Sequence, residues 1–145
     1  MDVRDVMSPN PTCCKPDTSV PEVAELMEQH DCGAIPVIDE LGVPKGIITD
    51  RDLAMRVIAK GKPAGELKAR DVMTPVTVTL KPHEPASEAS KLMAKHRIRR
   101  LLVVDQGGKC VGMVSLADLS RACPAEEMGR LVKKISEPIE EPAKL

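Results

Sequence analysis

RDVMSP at Arg4–Pro9 returns as RDVMTP at Arg70–Pro75, 66 residues further on. Held at that offset without a gap, Arg4–Ala54 lies over Arg70–Ser120, and 17 of the 51 pairs are identical. The identities run the length of the unit. They include Lys15/Lys81, Pro16/Pro82, Leu26/Leu92, Met27/Met93, His30/His96, Asp39/Asp105, Gly46/Gly112 and Asp52/Asp118. A fixed period of this kind decides the fold before any single element does. The chain is two copies of one unit of about sixty residues, and a unit that small buries too little apolar surface to stand alone.

The coarse structure of the unit reads twice. Ser19-Val20-Pro21-Glu22 is a capping-box pattern with Pro in the first turn, and Val20, Val23, Ala24 and Met27 follow at helical spacing to an end near His30–Gly33. Ala34–Ile38 is a short apolar run, Asp39–Gly42 a turn, and Lys45–Thr49 a second strand. The pattern turns helical again from Asp50 through Leu53, Val57 and Ile58. The second copy predicts a helix near Pro85–His96, a strand at Leu101–Val104, a turn at Gln106–Gly108, a strand at Val111–Val114 and a helix from Leu116. Short extended segments at Pro11–Cys14 and Val76–Leu80 complete a β-α-β-β-α unit. The expected organisation is a first copy over 1–61, a linker at 62–68, a second copy over 69–123, and a C-terminal short helix with a flexible tail over 124–145.

Composition narrows the function. There is no Phe, Tyr or Trp, so the core is aliphatic and filled by adaptable Met. The aromatic platforms on which single-stranded nucleic acids stack are absent. A formal net charge of −1 argues against a polyanion binder. Five Cys, an odd number without C-x-x-C, read as reduced thiols and neither a disulfide framework nor a zinc site. The charged start predicts no signal peptide, and the longest strongly apolar run, Leu101–Val104, is far too short to span a membrane. A soluble, cytoplasmic protein that binds neither nucleic acid nor membrane is expected.

The sharpest pattern lies where the second strand of each copy ends: GIITDRD at Gly46–Asp52 and GMVSLAD at Gly112–Asp118. A hydroxyl at a strand-to-helix junction sits beside free N–H groups and positive helix dipole, which suit a phosphate. An Asp one turn in suits ribose hydroxyls. The same Thr/Ser-x-x-Asp spacing is also a helix capping box, and its recurrence in both copies fits either reading. KHRIRR at Lys95–Arg100 begins as the cationic end of a helix, but Arg99 and Arg100 directly precede a buried-looking strand and are placed to reach an anion between the copies. His30 and His96 read as structural, and His83 as a lone loop residue. No nucleophile–base set, glycine-rich phosphate loop or carboxylate pair points to an enzyme.

Together the RDVM-[ST]-P openings, the helices before AIPVID and LLVVD, and the GIITDRD and GMVSLAD segments resemble a tandem pair of CBS motifs, the Bateman module, over Val3–Ala122. The resemblance implies an α/β (α+β) fold of two β-α-β-β-α repeats about a pseudo-two-fold axis, with two clefts between them. It implies a homodimer and a regulatory role, in which an adenosine nucleotide (AMP, ADP or ATP, or else NAD or S-adenosylmethionine) is sensed and an unidentified protein is regulated. No catalytic cofactor or metal is implied. Position by position, Thr49 and Ser115 would meet phosphate, and Asp52 and Asp118 the ribose. Asp50, Arg51, Arg99 and Arg100 would complete the polar wall. The base would rest on Ile35, Pro36 and Val37 in one copy and on Leu101 and Leu102 in the other, helped by Cys13 or Val78. The second copy departs by carrying Leu102 where the first has Pro36, and Leu116 and Ala117 where the first has Asp50 and Arg51.

Overall fold

A computed structural model describes residues 1–138. The chain opens with one helical turn, α1 (Val3–Val6), and a two-residue strand, β1 (Ser8–Pro9). Helix α2 (Val20–His30), strands β2 (Ala34–Ile38) and β3 (Pro44–Thr49), and helix α3 (Asp50–Leu53) follow, and α3 runs on as a π-helical turn at Ala54–Ile58. After a 3-10 turn at Ala64–Glu66 come α4 (Ala69–Val72), β4 (Thr74–Pro75), β5 (Thr79–Leu80), α5 (Ala86–His96), β6 (Arg100–Val104), β7 (Cys110–Ser115), α6 (Leu116–Ala122) and α7 (Ala125–Ile135). The expected tail beyond Pro138 lies outside the described residues.

Local chemistry sets these boundaries. The Ser19 hydroxyl accepts from the Glu22 N–H at 3.3 Å and starts α2. Asp31, left-handed at φ 48°, stops it. Arg97, at φ 54°, does the same for α5 at the equivalent position. Each hairpin turn is tied by one carboxylate. Asp39 Oδ1 accepts the N–H groups of Leu41 and Val43 at 2.9 Å, and Asp105 Oδ1 those of Gly107 and Lys109, also at 2.9 Å. Lys15 and Lys81 donate to the carbonyls of Asp39 and Asp105 at 3.1 and 3.2 Å. These bonds account for the Lys15/Lys81 and Asp39/Asp105 identities between the copies.

The repeats exchange their openings. β1 pairs antiparallel with β7 of the second copy (Ser8↔Met113, Pro9↔Gly112), and β4 pairs with β3 of the first (Gly46↔Pro75, Ile47↔Thr74). One sheet is therefore β1-β7-β6-β5 and the other β2-β3-β4. The backbone bonds repeat in kind: Val3 N–H to Glu84 O and Arg4 N–H to Pro82 O at 2.8 and 3.0 Å, against Ala69 N–H to Thr18 O and Arg70 N–H to Pro16 O at 2.7 and 3.1 Å. Glycine makes the exchange possible. A Cβ on Gly46 would lie 2.6 Å from Met73 Sδ and 2.9 Å from the Thr74 carbonyl. A Cβ on Gly112 would collide with Met7 Sδ. The identity of RDVM and the identity of Gly46/Gly112 are thus two sides of one contact.

Two cores result. Val23, Ile35, Val37 and Ile48 form the first, which Ala69 and Val72 of the other copy's opening complete. Met93, Leu101, Val103 and Val114 belong to the second, which Val3 joins. The sequence copies and the packed halves therefore differ by their opening segments. Helix α7 adds Met128, Leu131 and Ile135 to the second core alone, at a spacing that keeps them on one face.

Candidate functional site

Strand β3 hands over to α3 at Thr49. Its Oγ1 accepts from the Asp52 N–H at 3.1 Å, and Asp52 Oδ2 accepts from the Thr49 N–H at 2.9 Å, a reciprocal capping box. The capping reading of Thr-x-x-Asp is therefore realised. It uses one carboxylate oxygen. Asp52 Oδ1 has only a loose ion pair with Arg56, at 3.8 Å.

This junction opens on a cavity of about 570 Å³, lined by Thr49, Asp50, Arg51 and Asp52 from the first half and by Arg97, Ile98, Arg99 and Arg100 from the second. That volume is in the range of ligand-binding clefts, roughly 300–1,000 Å³. Four arginines face two aspartates around it. The left-handed end of α5 at Arg97 turns the chain so that Arg99 and Arg100 arrive at the first residues of β6. Arg100 is half-buried and Arg99 exposed. Gly33, the counterpart of Arg99, leaves the gap between them: a Cβ there would lie 3.0 Å from Asp50 Oδ2 and 3.3 Å from Arg100 Nη2. Arg97 is turned toward the chain end, 3.8 Å from the Glu137 carboxylate.

The equivalent junction in the second half is closed. Ser115 and Asp118 form the same reciprocal box, at 2.8 and 3.0 Å. Here the remaining oxygen is taken: Asp118 Oδ1 accepts from the Ser8 hydroxyl at 3.2 Å and from Arg121 at 3.0 Å. Asp118 is the one buried charged residue, 8% exposed, among those described.

The residues expected to hold a base are distributed differently. Ile35 and Val37 point into the first core and Leu101 into the second. Pro36 and Leu102 are buried on the opposite strand faces and belong to neither core cluster. Val78 packs against the second core. Cys13 lines a separate cavity of about 240 Å³ with Cys14, Lys15, Thr18, Glu22, Leu26 and Ile38. The structure thus brings together Thr49, Asp50, Arg51, Asp52, Arg99 and Arg100. It does not bring Ser115, Asp118, Cys13, Val78 or the apolar set into that cavity. Ile47, Thr74, Arg97, Ile98 and Ile135 line it in addition. Arg97 was visible in KHRIRR as a helix-end cation, whereas Thr74 and Ile135 arrive only through the exchange of openings and the docking of α7.

Burial pushes the Cys14 thiol up to about 11, helped by the nearby Glu22 carboxylate. Among the described residues no group of three or more His, Cys, Asp or Glu is placed to hold a metal ion. Nor is any described helix long and apolar enough to cross a membrane.

Comparison with known proteins agrees with this architecture. Residues 3–59 and 69–125 each match the CBS domain. The chain belongs to the CBS domain family. It is 43% identical over 118 residues to the CBS domain-containing protein YhcV of Bacillus subtilis, covering 81% of this chain and 82% of that one. The crystal structure of CBSX2 in complex with AMP is similar at a TM-score of 0.70 and 30% identity, over 83% of this chain and 94% of that one. The CBS domain pair of protein MJ0100, in complex with 5'-methylthioadenosine and S-adenosyl-L-methionine, is similar at 0.74 and 31% identity, over 84% and 98%.

Proposed function

We propose that the protein is a regulatory module that takes an adenosine nucleotide in the cavity between Thr49–Asp52 and Arg97–Arg100, and passes the occupancy of that cavity to a partner protein. One observation carries the reading: the cavity joins the capped end of one half to the arginines of the other, so an anionic ligand would bridge the two copies. Arg51, Arg99 and Arg100 are the phosphate partners in this assignment, with Thr49 beside them. Asp52 Oδ1, paired only loosely with Arg56, is the acceptor for a ribose hydroxyl in this assignment. The AMP and S-adenosylmethionine complexes of CBSX2 and MJ0100 support the ligand class. A bridging ligand fixes the angle between the halves, which is the signal a partner would read. A homodimer, tested by light scattering, and a cytoplasmic site of action belong to the same proposal.

Calorimetric titration of AMP, adenosine and dATP tests it. Charge-assisted contacts contribute about 1.5–3 kcal/mol each, so Arg100→Ala should weaken AMP at least tenfold while adenosine changes little. Equal loss for both would remove Arg100 from the phosphate site. Absence of heat with every adenine compound would leave a ligand-free interaction module as the better reading. The chain contains no Trp or Tyr, so a purified sample absorbing near 260 nm also reveals a retained base.

A further inference from the structure

Arg97 stops α5 in the left-handed region, at φ 54°, a place that favours Gly or Asn. Its counterpart in the first copy is Asp31, at φ 48°. The helix end therefore has no need of a guanidinium, and the use of Arg97 lies in what its side chain reaches. Arg97 lines the cavity between the halves. It also ties down the end of α7: Nη2 lies 3.8 Å from Glu137 Oε2, and Nη1 donates to the Pro138 carbonyl at 3.4 Å.

Helix α7 stands on the same wall. Its last residue, Ile135, is buried and lines the cavity together with Arg97. Past Ala125 the helix lies outside the two matched segments, and the first copy runs instead from Ala54–Ile58 into the 3-10 turn at Ala64–Glu66. The last turn of α7 closes on two backbone bonds, Ser136 N–H to the Val132 carbonyl at 3.0 Å and Glu137 N–H to the Lys134 carbonyl at 3.3 Å. The Glu137 carboxylate has a second cation, Lys134 Nζ, at 3.3 Å.

We propose that Arg97 is a switch shared between the end of α7 and the anionic group of the ligand, so that a bound phosphate draws Arg97 off Glu137 and loosens the last turn of α7. The switch rests on the cavity being the adenosine-nucleotide site proposed above, and adds what that site controls. The exchange favours the phosphate for three reasons. The contact with Glu137 is long and partly exposed, so it holds weakly. A phosphate carries more charge than one carboxylate, and Arg51, Arg99 and Arg100 line the same cavity to share it. Lys134 stays on Glu137, so the carboxylate is not left unpaired. What is lost is the polar tie between the last turn of α7 and the end of α5.

Hydrogen–deuterium exchange tests the switch, read by mass spectrometry on the whole chain with AMP, adenosine, pyrophosphate or sodium chloride at matched ionic strength. AMP and pyrophosphate should speed exchange over Val132–Glu137 by about two- to fivefold, the reach of a surface ion pair. Both should slow it over Thr49–Asp52 and Arg99–Leu102. Adenosine, which brings no anion, should slow the cavity segments and leave α7 alone. Arg97→Asn keeps a residue suited to the left-handed stop, and its α7 end should exchange fast with or without an anion. Glu137→Gln should tighten AMP by about two- to fivefold and leave adenosine unchanged. Glu137 is exposed, so this variant decides the matter if Arg97→Asn fails to fold. A response to pyrophosphate but not to AMP would keep the switch and remove the nucleotide. Slower or unchanged exchange over Val132–Glu137 with both anions would overturn the switch. Slowed cavity segments with AMP in that case would leave the nucleotide reading standing. An equal loosening of α7 by adenosine and AMP would also overturn it, because no anion is then needed.

Discussion

Thr49–Asp52 and Ser115–Asp118 are the same motif at the same place in two copies of one unit, and they have opposite surroundings. Both cap a helix with one carboxylate oxygen. Asp52 lines a cavity ringed by arginine, and its other oxygen has only the 3.8 Å ion pair with Arg56. At Asp118 that oxygen is bonded to Ser8 and Arg121. The cap is what the fold needs from both. Ligand capacity is what remains once the cap is made, and the copies differ there. Arg51, Arg99 and Arg100 reach only the first junction, because Arg99 and Arg100 face Gly33 and Ala34 in the alignment and Arg51 faces Ala117.

The largest expected effect separates the two aspartates as structural parts. Asp118→Ala removes a cap, strands the Ser8 hydroxyl and frees Arg121. With the cap at ~1 kcal/mol and a buried charged hydrogen bond at ~1.5–3, a loss of about 3 kcal/mol is expected. Arg121 is 73% exposed, so its share is small. Asp52→Ala removes the cap and only a loose 3.8 Å ion pair with the exposed Arg56, and should cost ~1 kcal/mol. Urea unfolding of both variants gives the difference directly. Equal losses would mean that Ser8 adds nothing and that the two junctions are energetically alike.

The glycines sharpen the contrast at the exchanged openings. Gly46→Ala meets Met73 Cγ at 2.8 Å and the Thr74 carbonyl at 2.9 Å, so backbone has to move. Overpacking of that kind costs roughly 1–3 kcal/mol. Gly112→Ala meets only side-chain atoms of Met7, which can turn aside. Its cost should stay below about 1 kcal/mol. Thermal melts ranking Gly112→Ala as the worse variant would contradict the register of β4 on β3.

Much of this was readable before the fold was known, and the boundary of what was readable is physical. The helices, hairpins and even α7 follow from signals a few residues long: Ser19 before Glu22, Asp39 before Gly42, and the spacing of Met128, Leu131 and Ile135. The polar half of the cavity was legible too, because Thr49–Asp52 and Arg99–Arg100 are contiguous runs. The exchange of openings was not. A two-residue strand such as Ser8–Pro9 carries no periodicity, and its partner lies more than a hundred residues away. Asp118 was therefore legible as a cap but not as the partner of Ser8, and Ser115–Asp118 looked as open as its counterpart. The apolar residues expected beside a base were read from a strand pattern, which fixes that they are buried but not which face they serve.

The smallest expected effect concerns the hairpins, where the two copies match in hydrogen bonding but not in charge. The Val43 N–H first, then the Leu41 N–H and the Lys45 ammonium, 3.6 Å away, hold the Asp39 carboxyl below its usual range against an opposing cost of desolvation. A carboxylate whose folded pKa is depressed stabilises the fold above the unfolded value, near 4. That contribution is lost as the pH falls through the lower folded value. Asp39→Asn keeps the oxygen that accepts both N–H groups and loses the charge. The gap between wild type and Asp39→Asn should be flat from about pH 5 to 8 and should narrow below about pH 4. Added salt should narrow it as well, because Lys45 is exposed and its attraction is screened. In the second copy Val111 stands where the first has Lys45, so the effect of Asp105→Asn should respond less to salt. Chemical unfolding of the two variants at low and high salt makes the comparison. A gap for Asp105→Asn that closes with salt as fast as that for Asp39→Asn would show that Lys45 is not what distinguishes the turns.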